Sequence, residues 1–129
     1  MDRGKIRNRS QAQQIRDFSG LRWGNITPTD MDAFIEYQNK AYILIEIKFG
    51  NSDIYGGQQL AFERLVNDLK EKPTILILAR HDDPPETDID AANCKVVKYY
   101  FRKIWHKEIL NRTLKEFCDW FIEYIQTLE

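Results

Sequence analysis

The run Thr74-Ile75-Leu76-Ile77-Leu78-Ala79 is apolar at every position after its threonine. A strand turns alternate side chains to opposite faces, so such a run has to be covered on both. It is far shorter than the roughly 20 residues that cross a bilayer, so the cover must come from the chain itself. Pro73 separates it from a segment running from Gly56 or Gly57 to about Lys70, where Leu60, Ala61, Leu65, Val66 and Leu69 form a stripe at helical spacing. A helix leading into a doubly covered strand places the chain in the α/β class with a mixed sheet.

Ahead of that helix, Ala33-Phe34-Ile35-Glu36-Tyr37 is rich in strand formers, and Gln38-Asn39-Lys40 is turn material before Ala41-Tyr42-Ile43-Leu44-Ile45. These segments predict a hairpin. Its second strand continues through Glu46-Ile47-Lys48, with Glu46 and Lys48 on one face, roughly 6 to 7 Å apart, and Ile45 and Ile47 on the other. Folding the hairpin brings Asp32, at the start of the first strand, beside Glu46 near the end of the second. Two carboxylates held that close repel unless a cation neutralises them, and an all-oxygen ligand set suits Mg²⁺ or Mn²⁺. Lys48 beside such an ion supplies what is needed to activate a water and to stabilise charge on a phosphate. Phe49 to Tyr55 then has the polar composition of a loop that leaves the sheet and can approach a substrate. Gln58 and Gln59 fall in the first turn of the helix, where backbone amides favour an anion.

These residues resemble the PD-(D/E)XK nuclease superfamily, whose pattern is an acidic residue opening one strand and an acidic residue, any residue and a lysine on the next. The match is Asp32, then Glu46-Ile47-Lys48, with Gly57-Gln58 heading the following helix, and it covers about residues 10 to 80. The Pro-Asp pair of the pattern is spread into Pro28-Thr29-Asp30-Met31-Asp32, leaving two candidate aspartates. Asp32 is preferred because it sits at the strand start, and Asp30 and Gln59 stand as supporting or alternative positions. The resemblance implies a restriction-endonuclease-like αβββαβ core within a central mixed β-sheet, followed by a C-terminal helix. It also implies a Mg²⁺-dependent (or Mn²⁺-dependent) phosphodiesterase acting on nucleic acid, DNA in the first instance. Asp32, Glu46 and the Ile47 carbonyl would hold the ion, Lys48 would orient the water, and Gln58 would support the site.

The chain's 129 residues are expected to form a basic flexible arm, 1–9, and a single domain, 10–129. Six basic residues against two acidic ones fall in residues 1–24, and thirteen against eighteen in the remainder. A basic arm on an acidic body is either a solvated tail or a grip on a polyanion through Lys5, Arg7, Arg9, Arg16 and Arg22. Without an apolar leader or a spanning run, the protein is expected in the cytoplasm and off the membrane. Cys94 and Cys118 read as reduced, partly buried thiols. A short helix is expected from Ser10 as N-cap to Phe18, and Leu21 to Ile26 as a short strand or irregular approach with Trp23 as a core or rim aromatic.

Further along, Arg80 to Asp90 reads as a solvated loop in which His81-Asp82-Asp83 has no fixed geometry. Cys94 to Trp105, mixing apolar and basic residues, reads as one edge or near-edge strand, and His106 as a surface or interface residue. Thr113-Leu114-Lys115-Glu116 has the capping-box pattern. Behind it, Leu114, Phe117, Cys118, Phe121, Ile122, Ile125 and Leu128 form a face that closes the core. A catalytically weak relative that only binds nucleic acid or protein is the competing function, and a purely structural domain the third. A homodimer is one way for so short a chain to engage duplex DNA.

Overall fold

The structure is a computed structural model that describes residues 3–6 and 17–128. The expected helix from Ser10, and Arg7, Arg9 and Arg16 among the basic contacts, lie outside the described residues. Asp17 and Phe18 are not helical, and Asp17 Oδ1 accepts from both the backbone and the hydroxyl of Ser19 at 2.9 and 2.6 Å, closing a turn.

The sheet begins with β1 (Ala33–Tyr37) and β2 (Ala41–Phe49), paired antiparallel with Tyr37 opposite Ala41 across the predicted turn. Helix α1 (Gly56–Asp68) carries the chain over to β3 (Thr74–His81), which lies parallel to β2. A 3₁₀ turn at Ala91–Asn93 leads to β4 (Lys95–Phe101) and β5 (Ile104–Lys107), and α2 (Leu114–Thr127) ends the fold. The five strands lie in sequence order, β1 to β5, so the protein is α/β with a mixed sheet and a C-terminal helix. No helix among the described residues is long and apolar enough to cross a membrane.

β3 is buried on both faces, as its composition requires. Ile75 and Ile77 join Ile43 and Ile45 under Phe117, Phe121 and Ile125 of α2. Leu76 and Leu78 join Leu44 under Phe62 and Val66 of α1, with Ile54 and Tyr100 completing that side. Phe117 and Phe121 are 0% and 1% exposed, each contributing roughly 2–3 kcal/mol by burial. α2 starts where its capping box predicts, with Thr113 Oγ1 accepting from Glu116 N–H and Glu116 Oε1 accepting from Thr113 N–H. Its N-terminus is tied to the sheet by Leu114 N–H to Cys94 O at 2.7 Å and Val96 N–H to Arg112 O at 3.1 Å.

Several expectations are corrected. α1 buries Phe62 and Val66, while Leu60 and Leu65 are exposed, so its inward face is rotated from the predicted stripe. Cys94 to Trp105 is two strands, because Arg102 and Lys103 both adopt positive φ (53° and 68°) and reverse the chain. Two-residue hairpin turns need this backbone, but Asn-Gly is the usual sequence for it, so the basic pair gave no turn signal. Trp23 is 65% exposed, bridged only to Ile26, and anchors no core. Leu128 is exposed rather than part of the apolar face of α2. His106 lies on β5 and stacks on Tyr99 with ring centroids 5.0 Å apart. Arg80 and His81 belong to β3, not to the loop after it.

Candidate active site

The antiparallel register, with Ala33 opposite Ile45, carries Asp32 to the level of Glu46 one residue beyond the last pair. Asp32 is fixed there by a bond from β1's end to β2: its Oδ2 accepts from the Ile47 N–H at 2.7 Å. Parity puts Glu46 and Lys48 on the α1 face of the sheet, with Leu44, and Ile45 on the α2 face. Glu46 is only 5% exposed, and with Thr74 it makes up the buried polar residues among those described.

Gln58, in the first turn of α1, bridges the pair on β2. Lys48 Nζ donates to Gln58 Oε1 at 3.0 Å, and Gln58 Nε2 donates to Glu46 Oε1 at 3.3 Å. Lys48 Nζ also lies 3.4 Å from Glu46 Oε1. Both contacts to Glu46 engage its Oε1. Glu46 Oε2 is buried with no hydrogen-bond partner, an arrangement that costs about 1–3 kcal/mol for a polar atom. Burial, and then the neighbouring charge of Asp32, push the Glu46 carboxyl above its ordinary range, while Lys48 and the Asp32 backbone amide pull the other way. Burial and like charge are the two influences that disfavour the ionised form, and here they win.

Of the two candidate aspartates, Asp32 reaches β2. Asp30 lines a groove of about 500 Å³ between residues 25–30 and the start of α1, which Gln58 and Arg64 also line. Gln59 turns to Glu63 instead of the site, donating at 2.9 Å. Arg22 is exposed and its Nε bonds Gly24 O at 2.9 Å, and Lys5 is exposed.

Sequence reading missed Arg80. In the parallel register it stands beside Lys48, so the two cations share a face on neighbouring strands. Its guanidinium is held by Asp82 at 3.2 Å. The only local signal was a basic residue closing an apolar strand, as Lys48 does in β2. The connection after Phe49 was expected to leave the sheet, but Ile54 is 1% exposed in the core and Asp53 is ion-paired to Lys98 of β4 at 3.0 Å. It is pinned beside the site, with Phe49 and Tyr55 exposed at its two ends and the Phe49 ring edge-on to His81 at 5.5 Å.

Two carboxylates and a backbone carbonyl make an oxygen-only donor set, and among the described residues no three or more His, Cys, Asp or Glu side chains are placed together to hold a metal ion. Mg²⁺ characteristically binds through one or two carboxylates and keeps several waters, and Glu46 Oε2 is a buried acceptor lacking a partner, so the residues fit such an ion. The chain matches no family model, no curated protein and no solved structure.

Proposed function

We propose that the protein is a metal-dependent nuclease that hydrolyses phosphodiester bonds, with DNA as its substrate. The observation that carries this reading is the unpartnered, buried Glu46 Oε2 beside Asp32, in a site where Lys48 and Gln58 already hold the other oxygen. A buried carboxylate oxygen without a partner is costly to the fold, and a cation held by Glu46 and Asp32 would relieve both their repulsion and that cost.

Asp32, Glu46 and the Ile47 carbonyl would hold Mg²⁺ or Mn²⁺, which when bound supplies a polarised water and neutralises charge on the phosphate. Asp32 is kept in place by the Ile47 amide, and Gln58 keeps Lys48 and Glu46 in fixed relation. Lys48, with its protons directed by Gln58 and Glu46, orients the attacking water and stabilises negative charge building on the phosphorane. Arg80, beside Lys48, meets a neighbouring phosphate oxygen with a planar donor pair. On this reading the sheet is part of a restriction-endonuclease-like αβββαβ core. The hairpin, helical crossover and parallel β3 are the portion that supports it.

The test is Mg²⁺-dependent cleavage of plasmid, linear, single-stranded and branched DNA by wild type, Asp32→Ala and Glu46→Ala. Activity confined to the wild type supports the reading, and undiminished activity in both variants overturns it. A second reading, a nucleic-acid binding module without turnover, draws on the donor set stopping at two carboxylate side chains. Calorimetry separates the two. Mn²⁺ binding that disappears in both variants favours the enzyme, whereas salt-sensitive DNA binding indifferent to metal favours the module.

A further inference from the structure

At the opposite end of the sheet, the chain leaving α1 and the β4–β5 turn enclose a cavity of about 200 Å³. Its lining includes Lys70, Lys72, Arg102 and Lys103, together with the polar Asn67 and Thr74, and no carboxylate. Among the described residues, none of the four cations is in an ion pair with an acidic side chain, and the nearby Glu71 is exposed and outside the cavity. Like charges gathered along one small space repel one another, and an anion among them would relieve that repulsion.

Two of these cations have hydrogen-bond partners outside the cavity lining. The Arg102 guanidinium lies 5.0 Å from the Phe101 ring centroid and donates to Tyr124 Oη at 2.9 Å, while Lys72 bonds Asn39 Oδ1 and sits 5.8 Å above the Tyr42 ring. The Asn67 oxygen is taken by the Tyr100 hydroxyl at 3.1 Å, which leaves its amide as a donor. The turn carrying Arg102 and Lys103 holds both in left-handed backbone, where Asn-Gly would sit without strain. Two bulky cations thus occupy positions that folding alone would give to other residues.

We propose that this cavity is a phosphate-binding site, taking a phosphate monoester or diester between the α1–β3 loop and the β4–β5 turn. A space of about 200 Å³ has ample room for a phosphate group. Arg102 offers the forked donors that suit phosphate oxygens, and the lysines supply point charge. The site does not depend on the nuclease reading. Two sources share the chemistry: a backbone phosphate of a nucleic-acid strand, or a small free phosphate compound. From the level of Tyr42 and Thr74 to that of Glu46 and Leu78 is four residues of β2, at least about 13 Å, so one strand could reach both ends of the sheet.

The experiment titrates inorganic phosphate into the full chain while following backbone amide shifts, and measures anisotropy of a short fluorescein-labelled single-stranded DNA. The variants are Lys70→Gln and the double variant Arg102→Asn with Lys103→Gly, whose turn should fold at least as readily as the native one. In wild type, the amides of residues 70–72, 74 and 101–104 shift on adding phosphate, and both variants weaken that binding roughly tenfold. DNA affinity falling in parallel identifies the backbone phosphate as occupant, and DNA affinity unchanged identifies the small compound. Asp32→Ala should titrate like wild type, so an inactive carboxylate site leaves this result standing. Absence of the shifts in wild type, or shifts that persist undiminished in both folded variants, overturns the proposal.

Discussion

The side chains of Glu46 and Glu108 are both nearly closed to solvent, at 6% and 1% exposed, and the protein treats them in opposite ways. The Glu108 side chain, 1% exposed, receives Arg112 Nε at 2.7 Å, Arg112 Nη2 at 2.9 Å and the Arg112 backbone N–H at 3.1 Å, so both oxygens are engaged. The Arg112 guanidinium in turn lies 4.7 and 4.8 Å from the ring centroids of Phe117 and Trp120. Those bonds hold the Glu108 carboxyl below its ordinary range, while burial and Asp32 hold Glu46 above it. Burial by itself therefore says little about role. A carboxylate completed by its neighbours joins the segment before α2 to the helix, whereas one left incomplete on a stiff strand is held ready for something from outside.

Activity should separate the two glutamates most widely. Glu46→Gln is expected to lose Mg²⁺-dependent cleavage by roughly a thousandfold, about 4 kcal/mol. Glu108→Gln should stay within a fewfold of wild type in the same assay. Stability should show the reverse ordering. Glu108→Ala strands Arg112 and is expected to cost about 3 kcal/mol in urea unfolding. Glu46→Gln removes an under-satisfied charge and should gain about 1 kcal/mol in chelator, visible as a melting point a few degrees higher. If Glu46→Gln is destabilising instead, its burial is structural after all.

The smallest effect is the pH dependence, and the two glutamates have opposite signs. Because the folded Glu108 carboxyl is depressed, its contribution is complete above the unfolded glutamate pKa of about 4.3 and is lost as pH falls through the folded value below that. Because the folded Glu46 carboxyl is raised, its penalty is absent below the unfolded value and grows as pH rises through the folded one. Metal-free wild type and Glu46→Gln should therefore have converging unfolding free energies in acid and diverging ones toward neutral pH. Parallel curves would contradict the assigned direction.

How much of this could be read from sequence follows from how far each feature reaches along the chain. The hairpin was legible because alternation and a polar turn are local, and so was the start of α2, whose capping box lies within four residues. The meeting of Asp32, Glu46, Lys48 and Gln58 followed from that hairpin and the helix after it. The face of α1 was not legible, since Leu60 and Phe62 compete for the sheet and only packing against Leu44, Leu76 and Tyr100 decides in favour of Phe62. Arg80 came to stand beside Lys48 through the register of two parallel strands separated by a helix, which no window of sequence contains. The anchoring of the 50–55 connection rests on Lys98, forty-five residues beyond Asp53, and was hidden for the same reason.

The two halves of the carboxylate pair hang from supports of unequal firmness. Among the described residues β1 is an outermost strand of five largely open residues with β2 as its one neighbour in the sheet, whereas β2 is gripped on both sides and covered on both faces. Peeling of that short ribbon would carry Asp32 away from Glu46 and leave the rest of the sheet standing. Warming, mild denaturant or a foreign strand docking along this margin would separate the acids well before the molecule as a whole melts.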